Sequence, residues 1–188
     1  MSFKTSDLCD ACEEALPCTL PLRGWGLRRA FAGAIRTLRC HEDVALMREM
    51  VNQPGHGQVL VVDGGGSLAR AIFGDVMATA VHRNGWAGLV LHGAIRDGVE
   101  IDAMDIGIKA LGTAPKRGQR SGAGEVDVPV TFGGVTFVPG RRVVADDDGV
   151  IVLPEGVHER DVRTDDAVAA TAAYVAHAAH AAPVKNPA

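Results

Sequence analysis

The chain has 188 residues, the size of one domain, and its 47% hydrophobic and 22% charged residues exclude an intrinsically disordered chain and a coiled coil. Its 19 lysines and arginines against 23 aspartates and glutamates leave a formal charge of −4, the wrong balance for a general nucleic-acid binder, which needs a concentrated positive surface to displace counterions. No apolar run reaches the ~20 residues of a membrane span, and Met1-Ser2-Phe3-Lys4-Thr5-Ser6-Asp7 has no apolar signal region, so the expectation is a cytoplasmic protein that engages neither nucleic acid nor membrane.

Ser6 is expected to cap a first helix through Glu14, with Pro17 limiting its extension. Residues 33–40 alternate small or apolar residues with arginines and read as a half-buried strand. Residues 42–51 place Val44, Met47 and Val51 at helical spacing, ended by Pro54-Gly55-His56-Gly57. Residues 59–62 are a continuous apolar run, read as a buried strand that feeds Asp63-Gly64-Gly65-Gly66. A helix is expected over residues 75–84, with Asp75 as its N-cap and Gly85 as its C-terminal glycine. Residues 86–91 read as another buried strand, and Ile106, Ile108 and Ala110 alternate as a strand does. Residues 126–153 are strand-rich, cut by turns at Gly133-Gly134, Pro139-Gly140 and Asp148-Gly149. Thr164-Asp165-Asp166 opens an alanine-rich helix with a weak stripe (Val168, Ala172, Val175, Ala179) that Pro183 stops. No internal repeat or interior linker interrupts this order, which fits one α/β or α+β domain over residues 1–160, followed by a helix and frayed tail over 161–188.

The four cysteines lie in the first quarter of the chain. Cys9 and Cys12 form a C-x-x-C, but Cys18 and Cys40 give no second pair at zinc-ribbon spacing, so the expected role is core packing. His177 and His180 share a helix face with no third ligand and read as surface residues.

Three segments can carry chemistry. Gly64-Gly65-Gly66-Ser67-Leu68-Ala69 satisfies G-x-G-x-x-A after a strand. A dinucleotide or S-adenosylmethionine site also wants a helix there and an acid at the end of the next strand. That strand ends in His92-Gly93, so the segment reads as a tight turn. Gly74-Asp75-Val76-Met77 opens a helix, where the Val76 and Met77 amides are expected to lack intrahelical acceptors and to suit a small carboxylate; the alternative is an ordinary capped helix. Gly93-Ala94-Ile95-Arg96-Asp97-Gly98 sets an arginine that can clasp a carboxylate beside an aspartate that can ligate a hard cation; the alternative is an exposed ion pair in a turn. The second and third segments together suggest one small, metal-bound anion.

Val59-Leu60-Val61-Val62-Asp63-Gly64-Gly65-Gly66, Gly74-Asp75, Gly88-x5-Ala94-Ile95-Arg96-Asp97, Asp105-Ile106-Gly107-Ile108 and Val130-x2-Gly133-Gly134-Val135-x3-Pro139-Gly140 resemble the RraA-like family. Thr5-Ser6-Asp7-Leu8-Cys9-Asp10 and Ala145-Asp146-x2-Gly149-Val150 extend the similarity to about residue 153. The family includes class II 4-hydroxy-4-methyl-2-oxoglutarate aldolases and the regulator of ribonuclease activity A. The resemblance implies a three-layer β/β/α swivelling-domain fold, a homotrimer with sites between subunits, and Mg²⁺ or Mn²⁺ as cofactor. It further implies aldol cleavage to two pyruvates, with oxaloacetate decarboxylation as a side activity. By position, Asp97 would ligate the metal, Arg96 would hold the substrate, and Gly74, Asp75, Val76 and Met77 would present the turn that binds its carboxylate. Asp75 stands where many of the aldolases have Glu and would orient metal-bound water.

Such cleavage leaves a pyruvate enolate, whose charge a divalent cation and Arg96 are suited to stabilise. No Schiff-base lysine is then required, and Lys109 and Lys116 have no context for one. Two features depart from the family: Arg141 replaces an acid often found after Pro139-Gly140, and the chain is shorter than aldolases with an extended C-terminal region. The alternative to an enzyme is a non-catalytic regulator that binds a ribonuclease. Asp97 favours the enzyme, because a regulator needs no carboxylate beside Arg96.

Overall fold

The computed structural model describes residues 3–162. In chain order its elements are α1 (Thr5–Ala11), β1 (Leu16–Pro17), β2 (Arg23–Trp25), β3 (Phe31–Arg39), α2 (Ala45–Val51), β4 (Val59–Asp63), β5 (Ala71–Phe73), α3 (Asp75–Arg83), β6 (Gly88–Ile95), α4 (Gly98–Asp102), β7 (Ile108–Thr113), β8 (Glu125–Val126), β9 (Val130–Phe132), β10 (Val135–Phe137), β11 (Arg142–Ala145) and β12 (Val150–Val152). The main sheet runs β1-β12-β11-β3-β4-β6-β7-β2, with β5 also on β6 and β8 also on β3, while β9 and β10 form a separate hairpin. Strands β3, β4, β6 and β7 are parallel at its centre, and β11, β12 and β2 are antiparallel.

The continuous apolar runs in the central strands follow from burial on both faces. Leu60 and Val62 of β4, with Leu89, Leu91 and Ile95 of β6, meet Met47, Met50, Met77, Ala78, Val81 and Ile101 from the helices. Val59 and Val61 of β4, with Val90 of β6, face the other way and pack on Val130, Phe132, Val135 and Phe137 of the hairpin and on Val143 and Val152. The order is therefore strands, central sheet, helices, which is the expected α/β, β/β/α layering. Among the described residues no helix is long and apolar enough to cross a membrane. The helix expected after Thr164, with His177 and His180, lies outside the described residues.

Several local expectations are corrected. Ser6 and Glu14 cap nothing: α1 starts at Thr5 without a side-chain cap, because the Thr5 N–H and hydroxyl both donate to the Asp146 carboxylate at 2.6 Å. That contact joins the first and last segments of the family pattern. Helix α2 begins at Ala45 rather than residue 42, since the Asp43 carboxylate takes the Ala45 N–H. Strand β6 begins at Gly88 and runs on to Ile95, and β7 begins at Ile108. Gly85 does end α3, at φ 72° just past Asn84. Cys9 and Cys12 are half-buried against Leu8, Ala15 and Leu153, and Cys40 is buried.

Asp43 ties the segment after β7 to the start of α2. Its carboxylate accepts from the Ser121 hydroxyl at 2.7 Å and from the amides of Ser121, Ala45 and Gly122. Burial pushes its pKa up, but these hydrogen bonds outweigh that and hold it below the usual aspartate value. A carboxylate whose folded pKa lies below its unfolded one adds stability at neutral pH and loses it on acidification. Asp43→Asn is expected to cost about 1–3 kcal/mol at neutral pH. In urea unfolding the gap to wild type should narrow between roughly pH 5 and pH 3; a gap independent of pH would contradict this role.

Candidate functional site

Strands β5 and β6 lie parallel, with Ala71 opposite Ala94 and Phe73 opposite Ile95, so one extra residue of β5 is absorbed between the two pairs. Such irregularities re-aim the chain at strand ends. The Arg96 N–H then donates to the Phe73 carbonyl at 2.9 Å, which sets Gly74 beside Arg96 and Asp97. A Cβ on Gly74 would lie 2.7 Å from Asp97 Oδ2 and 3.1 Å from Arg96 Cγ. Gly74 has extended backbone, φ −160°, so space and not conformation demands glycine here.

Asp97 adopts the left-handed region, φ 57° and ψ 41°, at the N-terminus of α4. Only Gly, Asn and Asp enter this region readily, and here it turns the carboxylate back toward its neighbour: Arg96 Nε donates to Asp97 Oδ2 at 2.9 Å. The second and third candidate segments of the sequence thus form one site, at the C-terminal ends of parallel strands where open α/β sheets bind ligands. It borders a cavity of about 110 Å³ lined by Phe73, Gly74, Asp75, Met77, Arg96 and Asp97, among others.

The start of α3 differs from expectation. Gly74, not Asp75, is the N-cap residue. Asp75 Oδ1 accepts the Val76 N–H at 2.7 Å, and the Met77 N–H donates to the Gly74 carbonyl at 3.0 Å. The two amides expected to be free are therefore engaged, because a carboxylate at the first helical position satisfies one and a tight first turn the other. Val76 and Met77 remain in the cavity wall.

The triple glycine is structural. Gly64 and Gly66 both donate to the His92 carbonyl, at 3.0 and 3.1 Å, and Gly65 donates to Asp63 Oδ1 at 3.0 Å. The loop runs on to β5 rather than into a helix, so it offers no amide cradle or helix dipole to a nucleotide. Lys109 is 3% exposed, and burial lowers its pKa, opposed by nearby Asp147; among the described residues no lysine lines the cavity.

Among the described residues no cluster of three or more His, Cys, Asp or Glu is arranged to hold a metal, which does not suit a zinc-type cage. The donor set fits a hard, water-rich cation instead. Mg²⁺ is commonly held by one or two carboxylates, with water and substrate oxygens completing the shell. Asp97 has lone pairs beyond the one given to Arg96, and a Cβ at Gly74 would crowd its Oδ2.

Two charged cavity residues escaped the sequence reading: Arg48 on α2 and Arg117 in the segment after β7. Arg48 sat in an amphipathic helix with no motif around it. The basic spacing of Lys116, Arg117 and Arg120 was the available signal for the other.

The RraA-like family model, described as Aldolase/RraA, matches residues 5–152. An Ectopseudomonas mendocina (strain ymp) protein, provisionally named 4-hydroxy-4-methyl-2-oxoglutarate aldolase, is 48% identical over 158 residues, 84% of this chain and 98% of its own. The structure of the RNA-processing inhibitor RraA from Thermus thermophilis has a TM-score of 0.79 at 44% identity, covering 84% of this chain and 98% of that one. The structure titled S-adenosylmethionine:2-dimethylmenaquinone methyltransferase from Geobacillus kaustophilus HTA426 has a TM-score of 0.78 at 46% identity, covering 80% and 94%.

Gly74→Ala is expected to leave thermal unfolding within a few degrees of wild type, because its extended backbone suits alanine. It should weaken Mn²⁺ binding by at least about tenfold by displacing the Asp97 carboxylate. Unchanged Mn²⁺ affinity by calorimetry would contradict the close approach as the reason for glycine.

Proposed function

The chain belongs to the RraA-like family, and from that premise we propose that it is a divalent-metal-dependent carbon–carbon lyase that releases pyruvate from 4-hydroxy-4-methyl-2-oxoglutarate or a related 4-hydroxy-2-keto acid. Oxaloacetate decarboxylation is its expected side activity. The observation that carries this reading is the meeting of Gly74 with the Arg96–Asp97 pair at the cavity.

In the aldol cleavage the 4-hydroxyl loses its proton and the C3–C4 bond breaks. C4 becomes the carbonyl carbon of one pyruvate, and the bond's electron pair passes into the enolate of the other, which takes up a proton at C3. Decarboxylation of oxaloacetate breaks the corresponding bond, releases CO₂ and leaves the same enolate. Asp97 would hold Mg²⁺ or Mn²⁺, which supplies Lewis-acid stabilisation of charge on the keto oxygen. Arg96 neutralises the enolate and fixes its plane, with its guanidinium steadied by Asp97. Asp75, whose carboxylate accepts the Val76 N–H, would orient a water that takes the proton and returns it. Phe73, Val44 and Met77 supply the apolar wall that strengthens these charges by excluding water.

The homotrimer implied by the family has exposed apolar side chains to cover, among them Leu68, Val76 and Val99. A regulator of RNA processing is the second reading, favoured by the RraA structure at 44% identity; it has no use for the Arg96–Asp97 pair. A methyltransferase reading gains nothing from the triple glycine, whose amides are spent on His92 and Asp63.

The test is pyruvate release from 4-hydroxy-4-methyl-2-oxoglutarate and from oxaloacetate, with Mg²⁺, with EDTA and with Asp97→Ala. Turnover is expected with Mg²⁺ and should fall at least ~100-fold in the other two conditions. No turnover of either acid by the Mg²⁺-loaded wild type would sink the lyase assignment and leave the regulator reading, tested by ribonuclease binding.

A further inference from the structure

We infer that Arg141 anchors a second ligand site, a cleft between the turn before β11 and the segment after β12 that takes a small organic monocarboxylate with an apolar body. The cleft shares no lining residue with the lyase cavity, so the inference does not rest on that reading. Ile35 of β3 is level with Val59 of β4 and with Gly88 at the start of β6. The cleft, beside Ala34, therefore sits at the opposite end of the parallel strands from Ile95 and the Arg96–Asp97 pair. The eight residues of β6 between the two levels span roughly 25 Å.

Arg141 is half-buried in the wall of this cleft and carries a charge that the fold does not match. Its Nη2 donates to the Leu153 carbonyl at 2.9 Å, while its Nε is buried with no hydrogen-bond partner. Among the described residues no carboxylate pairs with it. The nearest candidate in the chain, Glu159, is spent on Arg142, which grips it through Nε at 2.6 Å and Nη2 at 2.7 Å. Folded proteins seldom leave a buried donor or a buried charge without a partner. A guanidinium shares its charge over three nitrogens, so an anion at Nη1, which has no partner among the described residues, would offset the charge of the whole group.

Both walls are held in place by backbone hydrogen bonds. The Arg141 N–H donates to the Val138 carbonyl at 3.1 Å, its carbonyl accepts the Ile35 N–H at 2.8 Å, and the Gly140 N–H donates to the Ile35 carbonyl at 2.9 Å. Across the cleft, the Leu153 N–H donates to the Arg142 carbonyl at 2.9 Å and the Val157 N–H to the Pro154 carbonyl at 3.2 Å. Walls fixed in this way lower the ordering cost of binding. The volume, about 510 Å³, falls within the ~300–1,000 Å³ usual for small-molecule sites. Ala34, Val138, Pro139 and Val157 offer apolar surface, which calls for an apolar body on the ligand. One unmatched guanidinium suits one carboxylate, which its planar fork can grip. Glu155 in the same wall opposes a second negative charge, so a monoanion is favoured over a dianion such as phosphate.

The test titrates the full chain with benzoate and, separately, with inorganic phosphate, and follows backbone amide shifts by NMR. Benzoate should move the amides of Ala34 and Val157 in wild type, and phosphate should move them less at equal concentration. Arg141→Gln should weaken benzoate binding at these amides about tenfold or more, while Arg96→Gln, in the other cavity, should leave it within about twofold. Glu155 is exposed, so Glu155→Lys keeps the fold whatever becomes of Arg141→Gln, and it should tighten benzoate about threefold. The site is overturned if benzoate leaves Ala34 and Val157 unmoved, if a folded Arg141→Gln binds as wild type does, or if Glu155→Lys fails to tighten binding. Loss of the shifts in Arg96→Gln would also overturn it, by assigning them to the lyase cavity, and a preference for phosphate at these amides would overturn the monocarboxylate class.

Discussion

Phe73 and Ile95 face each other across β5 and β6, and the site depends on what that pairing forces one residue later. The two strands end together, so Gly74 must pass against Arg96 and Asp97, with no room for a side chain between its Cα and the Asp97 carboxylate. The strands themselves are held by burial: Phe73 and Ile95 belong to the apolar cluster under the helices, where each such side chain contributes about 1.5–3 kcal/mol on leaving water. Apolar packing thereby fixes the distance between polar groups. Asp97, in a left-handed backbone conformation, and Gly74, where a side chain would clash, both fall at the cavity, and strained backbone such as that of Asp97 often serves function.

How much of this was legible in the chain depended on the length of the signal. Four consecutive apolar residues from Val59 to Val62 announced a strand buried on both faces, and Gly85 announced the end of α3 with its φ of 72°. The nearness of Gly74 to Arg96–Asp97 was also inferable, since a helix start and the next strand end were expected to converge. Strand β5 has three residues and α4 five, too short for any periodicity, so the pairing that enforces the convergence was hidden. The engagement of the Val76 and Met77 amides was equally hidden, because it turns on Gly74 rather than Asp75 being the cap. Arg48 and Arg117 are far apart in the chain and line one cavity where backbone hydrogen bonds join Ala71 to Lys116 and Gly118, and Gln119 to Val44.

One fold here has relatives named as an aldolase, an RNA-processing inhibitor and a methyltransferase, all between 44% and 48% identical to this chain. Function on a shared fold is decided by the site. Three features of this one bear on the proposed small-acid chemistry: a carboxylate, an arginine paired with it, and an apolar wall beside them. The glycine-rich loop, the most conspicuous motif in the sequence, serves only to bring β4 around to β5.

The most direct measurement is Mn²⁺ binding followed by water-proton relaxation, with and without oxalate, a planar analogue of the pyruvate enolate, in wild type and Asp97→Asn. Wild type is expected to bind Mn²⁺, with oxalate tightening it, and Asp97→Asn to lose both effects while remaining folded. Equal Mn²⁺ affinity in the two proteins would remove Asp97 from the metal site and with it the proposed lyase chemistry.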